Sequence, residues 1–220
     1  MQFSIHPSAR LVNLFKKRPY QGQHPGNANI LFLNSDANYS PEISDHPFFN
    51  FILEYHEDGV SFWRKYGCHH PFLLDDYPFP KTSGGRPFHQ RFSKIGLGLE
   101  HADSVSFIEM LDVPTIGNKS NNRKEFYSLM SDNHLKFIDN LITEGNSKLI
   151  FVSGGVLKDM LKVGKRRGLF SWLNLQDREH GKYKKRLNSN EIHEIYHFSS
   201  SHVFQQIPDI RASIEHWLKA

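Results

Sequence analysis

Asp36 and His197 each stand just past an apolar run. Asp36 follows Ile30-Leu31-Phe32-Leu33 within Asn34-Ser35-Asp36-Ala37-Asn38-Tyr39-Ser40, and His197 follows Ile192 to Tyr196 and opens His197-Phe198-Ser199-Ser200-Ser201. If both runs are strands of one parallel sheet, both loops leave its carboxyl edge, where open α/β sheets bind ligands. A carboxylate and a neutral imidazole sharing one crevice suit hydrolysis of an N-glycosidic bond. The transition state is oxocarbenium-like, so a carboxylate stabilises the growing positive charge and orients water. The departing base gathers negative charge on its oxygens, and an imidazole N–H can donate to it. A plainer reading stands beside this one: Asp36 caps the helix signalled by Ser40-Pro41-Glu42, and His197 merely enters a helix.

The elements that must position these residues are legible as periodicity. Strands are expected at 29–34, 104–110, 148–152 and 192–196. Helices are expected at 8–17, at 41–57 with a break near Pro47, at 60–66, at 92–98, at 132–144 capped by Asp132, after Ser153-Gly154-Gly155 through Leu161, and from Pro208 onward. Tyr20 to Asn29 reads as a loop, and 67–91 as a long irregular stretch that is functional or mobile. Strands alternating with helices mean an α/β fold with a central four-stranded, mainly parallel sheet flanked by helices. At 220 residues, 38% hydrophobic and 23% charged, one domain over 1–220 with its core at 29–218 is expected.

In this order of elements the chain resembles the uracil-DNA glycosylase superfamily. That family's first motif, often Gly-Gln-Asp-Pro-Tyr or Gly-Ile-Asn-Pro-Gly, is matched by Leu33 to Tyr39, and its second, often His-Pro-Ser or Asn-Pro-Ser, by His197-Phe198-Ser199. Val113-Pro114-Thr115 and Arg91-Phe92 before Gly96-Leu97 are similar to features of the mismatch-specific branch. The resemblance implies a uracil-DNA glycosylase-like fold, with Asp36 and His197 catalytic and no metal or other cofactor. It implies base contacts from Asn38 and Tyr39, an aromatic platform at Phe72 or Phe88, and Glu109 where many members carry a base-reading Asn. Ser199, Ser200 and Ser201 would grip the DNA backbone, and Val203 or Phe204 would fill the space left by a flipped base. The departures are the missing prolines in both motifs and a tyrosine one residue further from the aspartate. His6-Pro7-Ser8 spells the second motif but precedes every strand.

The partner implied is DNA, with the chain acting as a monomer and leaving an abasic site, since neither motif holds a lysine to form a Schiff base. Uracil and a cytosine with a bulky 5-substituent, as in some phage genomes, stand equal as substrates, so repair and anti-phage defence both remain open. A net charge of +4 permits a polyanion partner without demanding one. Two basic clusters, Lys162, Lys165, Arg166 and Arg167 and then Lys182, Lys184, Lys185 and Arg186, are candidate phosphate contacts or solvated loops. Ser153-Gly154-Gly155 could hold a phosphate on backbone N–H groups or simply make a tight turn.

Two other classes are weighed. His56, His69, His70, Asp75, Asp76 and His89 could serve a metal-dependent hydrolase or nuclease, although no fixed ligand spacing supports it. A non-catalytic nucleic-acid-binding module would rest on the basic clusters alone. No apolar run approaches the ~20 residues of a membrane helix. The N-terminus does not read as a signal peptide and a single cysteine forms no internal disulfide, so a cytoplasmic setting is expected.

Overall fold

Alternation along the first apolar run sets the architecture. Leu31 and Leu33 are buried on one face of the strand and Ile30 and Phe32 on the other, so both faces must be covered. The computed structural model describes residues 2–82, 84–179 and 182–219. Its strands are β1 Ser4–Ile5, β2 Tyr20–Gly22, β3 Ile30–Asn34, β4 Val105–Glu109, β5 Thr115–Ile116, β6 Leu149–Ser153, β7 Arg178–Glu179, β8 Lys182–Leu187 and β9 Asn190–Ile195. Its α-helices are α1 Ala9–Lys17, α2 Phe49–Glu57, α3 Gly59–Tyr66, α4 Arg86–Phe92, α5 Arg123–Ser128, α6 Asp132–Thr143, α7 Gly154–Arg167 and α8 Ile207–Lys219.

The four expected strands are β3, β4, β6 and β9, and they pair in parallel as β4-β3-β6-β9. The sheet is larger than the four strands expected. Antiparallel β2 adds to one edge and β8 with β7 to the other, giving seven in the order β2-β4-β3-β6-β9-β8-β7. β2 falls in the segment read as a loop, because a three-residue strand ending in glycine carries almost no periodic signal. β8 falls in the basic cluster 182–186, where only Tyr183 is fully buried and charge hides the alternation.

One face packs Leu31, Leu33, Ile108, Ile150, Val152 and Ile192 against α5, α6 and α7. On the other face, Phe32 stacks between Phe107 and Phe151 at ring separations of 5.5 and 5.2 Å. The pairing register places these three residues side by side. Phe88 and Phe92 of α4, with Ile210 and Ile214 of α8, close over them. A third apolar cluster, including Leu11, Phe15, Ile52 and Phe72, backs the loop that carries Asp36 and Tyr39.

Several element boundaries differ from expectation. The helix expected at 92–98 lies earlier, at Arg86–Phe92, where Pro87 stands in its first turn. Within 67–91 the chain also makes a single 3-10 turn at Pro71–Leu73 and buries His69, His70 and Phe72. Ser131 rather than Asp132 caps α6, accepting the His134 N–H. α7 runs on to Arg167 and stops at Gly168, whose φ of 68° is left-handed. No helix is long and apolar enough to cross a membrane among the described residues.

Candidate active site

The four parallel strands end level with one another. Asn34 pairs with Glu109, and Ser153 with Ile195, so these residues form a row at the carboxyl edge. Above the row opens a crevice of about 790 Å³, lined by Asp36, Glu109, Ser153 and His197 among others. The two loops singled out in the sequence therefore meet.

Asp36 does not cap the following helix. Its Oδ2 accepts the Thr115 hydroxyl at 2.8 Å. The two loops are latched by backbone bonds from Tyr39 N to Thr115 O (3.0 Å) and from Thr115 N to Ala37 O (2.9 Å). Asn38 reinforces the latch, donating to Thr115 Oγ1 at 3.2 Å and to Gly117 O at 2.6 Å. Burial raises the Asp36 carboxyl above the usual carboxylate range, while the Thr115 bond and the Lys119 charge pull it back.

His197 lines the same crevice with its ring 5.3 Å from Phe88. Its Nδ1 accepts the Ser199 backbone N–H at 3.2 Å. The neutral ring must then carry its proton on Nε2. Surrounding protein, helped by repulsion from Lys119, pushes the imidazole down to about 4. The ring is neutral at physiological pH and keeps one N–H donor.

Lys119 escaped the sequence reading. It lies in a 3-10 turn, Lys119–Asn121, and no motif marks it. Its ammonium donates to Ser35 Oγ in the Asp36 loop and to Asp159 Oδ2 at 3.2 Å. Asp159 of α7 is 2% exposed and also accepts from Arg123 and from Tyr127 Oη (2.9 Å). A buried carboxylate with this many donors fixes the cation that sits near both catalytic candidates.

The inner wall is aromatic and histidine-rich. Tyr39 is buried, its hydroxyl 2.6 Å from His56 Nε2 and its ring edge-on to Phe72 at 5.6 Å. Phe72, Phe88 and Tyr39 all reach the crevice. His70 and His89 line the crevice beside them and stack at 3.5 Å, and His69 Nε2 meets His89 Nδ1 at 3.1 Å. Burial pushes His56 and His69 down to about 3, and His70 and His89 well below their usual value. Four neutral rings committed to one another and to Tyr39 make a wall. Asp75 and Asp76 are exposed. Among the described residues no three His, Cys, Asp or Glu side chains converge as metal ligands.

Glu109 closes the crevice floor. It is 5% exposed, Oε1 lies 3.5 Å from Asn34 Nδ2, and Oε2 has no hydrogen-bond partner. Among the described residues no Lys or Arg forms a salt bridge with it. Burial, with repulsion from Asp36, pushes the carboxyl up to about 8.

Other sequence candidates scatter. Ser153 makes no side-chain cap, and a Cβ on Gly154 would stand 2.2 Å from Glu194 Oε1. That carboxylate, held bidentate by Arg178 at 2.8 and 2.9 Å, already supplies negative charge beside the α7 N-terminus. The glycine is thus required by close packing, and a phosphate would meet repulsion there. Ser199 lines the crevice, Ser200 caps the next 3-10 turn by accepting the His202 N–H, and Ser201 begins that turn, exposed.

Val203 is corrected from wedge to core, since it is fully buried. Phe204 is 45% exposed, with the Arg91 guanidinium 5.5 Å and the Lys94 ammonium 5.0 Å from its ring. Tyr196, also 45% exposed, stands on the crevice side of the same segment.

The basic clusters do not line the crevice. α7 has 14 residues. At 1.5 Å per residue, Lys165, Arg166 and Arg167 therefore lie roughly 20 Å down the helix from the crevice. Arg167 is occupied there by Asp132 and by Met130 O. Lys184, Lys185 and Arg186 run down β8 away from the carboxyl edge, Arg186 pairing in register with Glu191 near the start of β9. Lys185 donates to Trp172 O at 2.7 Å, and Lys184 lies 4.0 Å from Glu191. The decoy His6 is buried behind Tyr39, and Ser8 caps α1.

No protein-family model matches the chain, and no curated protein matches it in sequence.

Proposed function

We propose that the protein is a monofunctional DNA glycosylase. It would hydrolyse the N-glycosidic bond of a flipped-out pyrimidine, either uracil or a modified cytosine, and leave an abasic site. One observation carries the reading: Asp36, anchored by Thr115, shares a crevice with a neutral His197 whose free N–H is on Nε2. As the bond from the sugar C1′ to the base N1 breaks, positive charge develops on the sugar and negative charge on the base. The Asp36 carboxylate offsets the first and orients the water whose oxygen bonds to C1′. His197 Nε2–H donates to the base oxygen that gathers the electron pair. The water's proton ends on the departing base, so one water is consumed and no electron changes hands.

Several features suit a stacked pyrimidine base. Phe72, Phe88 and Tyr39 offer a stacking wall, and Glu109 offers a polar floor. Phe204 with Arg91 and Lys94 provides an exposed aromatic flanked by cations, suited to entering a duplex and meeting its phosphates. Lys119 brings an amine into the crevice, but Asp159 and Ser35 hold it, so it is not the free nucleophile that strand cleavage needs. The fold, a helix-flanked and mainly parallel sheet with both motifs at its carboxyl edge, is compatible with a uracil-DNA glycosylase-like relationship. Repair of the cell's own DNA and removal of modified bases from phage DNA are both served by this chemistry.

The test is direct. Duplexes carrying uracil, a thymine mismatch, hydroxymethylcytosine or glucosylated hydroxymethylcytosine are incubated with the protein, and free base and abasic sites are measured. Asp36→Asn and His197→Ala should each cut base release by about 10²-fold or more while DNA binding persists. Full activity in Asp36→Ala would sink the assignment. Dependence on an added divalent ion would favour a metal hydrolase instead.

A further inference from the structure

The floor of the crevice holds a polar group without a partner. Glu109 ends β4, its backbone carbonyl accepting from His134 Nε2 at 2.8 Å, and its side chain forms part of the crevice lining. Oε1 faces the Asn34 amide N–H at 3.5 Å, so Oε1 is the acceptor oxygen of the carboxyl. Oε2 is buried with nothing to bond. An ionised carboxylate in this position would leave a buried negative charge without an ion-pair partner. The charged and titratable groups that face it relieve that only in part, through the Lys119 charge, which opposes the rise. Asp36, from the loop after β3, is an acid itself. Tyr39 from the same loop and Tyr55 from α2 are kept protonated by burial, with Glu109 adding to it. Lys119, the cation from the loop after β5, is committed to Asp159 and Ser35. A proton on Oε2 removes the charge and leaves an O–H that needs an acceptor.

We infer that Glu109 reads the ligand as a neutral carboxylic acid, donating from Oε2–H to a carbonyl oxygen. The crevice then takes a 4-oxo pyrimidine such as uracil, thymine or a 5-substituted uracil. A 4-amino pyrimidine is refused, because its amine would bring a donor against a donor. This rests on the glycosylase reading for its substrate, and it chooses a uracil-type over a cytosine-type base. It also attaches a pH signature to recognition: the donor is lost as pH rises through about 8. Glu109→Gln keeps a neutral group with an N–H₂ donor and a carbonyl acceptor, so it should preserve recognition and abolish the signature.

Two measurements on the full chain test this and separate its failure from that of the glycosylase reading. The first is single-turnover base release from duplexes containing uracil, a thymine mismatch, cytosine and hydroxymethylcytosine, from about pH 6.5 to about pH 9. Release of the 4-oxo bases is expected, falling about tenfold for each pH unit above the Glu109 value. Glu109→Gln should remain within about fivefold at neutral pH with that limb absent, and Glu109→Ala should lose about 10- to 100-fold. Preferential release of a 4-amino base, or a Glu109→Ala variant as active as the parent, overturns the inference. The second is calorimetric binding of free 1-methyluracil and 1-methylcytosine. If no duplex releases a base but 1-methyluracil binds in a Glu109-dependent way, the donor role stands and the hydrolytic reading falls. If neither base binds and none is released, both fall.

Discussion

The Thr115 hydroxyl reaches Asp36 Oδ2 at 2.8 Å across a gap of 79 residues in the chain. The bond does two things at once: it orients the carboxylate and opposes the rise in its pKa that burial imposes. Thr115→Val keeps the shape and removes the donor. Base release should fall about tenfold, and the acid limb of the pH–rate profile should move to higher pH. A profile displaced in height but not along the pH axis would leave Thr115 a purely structural residue.

Lys119 acts on both catalytic candidates, lowering the Asp36 and the His197 pKa. In Lys119→Met both should rise. Asp36 would be protonated and His197 charged at a higher pH than in the parent, so activity at mildly acid pH should fall more than activity at pH 8. Lys119→Arg should restore most of the difference. Asp159 retains Arg123 and Tyr127 as partners, so the fold should survive. Borohydride added during turnover should trap no protein–DNA adduct, and a trapped adduct lost in Lys119→Met would show a lyase instead.

The histidine wall makes the fold sensitive to acid. His56 and His69 are held down to about 3, and His70 and His89 well below the usual value, whereas in the unfolded chain all four accept protons near 6.5. Below that pH the unfolded state binds more protons, so each ring removes about 1.4 kcal/mol of stability per pH unit as pH falls. Glu109, raised to about 8, works in the opposite sense, its stability being fully present below about 4.5 and lost as pH rises through 8. His56 and His69 alone outweigh it by about 1.4 kcal/mol per unit between pH 6.5 and 4.5, and His70 and His89 act in the same direction. Against a total of about 5–15 kcal/mol, the chain should be measurably less stable at pH 4.5 than at pH 7. Denaturant titrations followed by circular dichroism across pH measure this; stability unchanged down to pH 4.5 would contradict it.

DNA contact should centre on the exposed patch of Phe204, Arg91 and Lys94. Replacing Arg91 and Lys94 together by alanine should weaken binding to all duplexes and lower the salt slope by about two. Replacing Lys165 and Arg166, far down α7, should leave both within experimental scatter. Phe204→Ala should reduce base release from paired substrates more than from single strands, where no space needs filling. Equal loss on both would assign Phe204 to packing.

The sequence by itself determined the four parallel strands and the two loops that close the site, because each is a local signal. A short apolar run that ends in small polar residues is a strand running into a loop, whatever surrounds it. Chain order also separated His197 from the decoy at His6. It did not determine the edge strands: β2 is too short to show alternation, and β8 has its alternation masked by lysines on both faces. Tertiary structure alone decided which polar groups share the crevice. Thr115 and Lys119 reach Asp36 and its loop from the segment 115–119, Asp159 of α7 holds Lys119 in turn, and no spacing in the chain encodes those contacts. Protonation was decided there as well. Glu109, Asp36 and the four histidines have ordinary pKa values as residue types, and only burial among one another moves them. Strand propensity is a property of a few neighbouring residues, whereas the cost of a buried charge depends on every group that has replaced water around it.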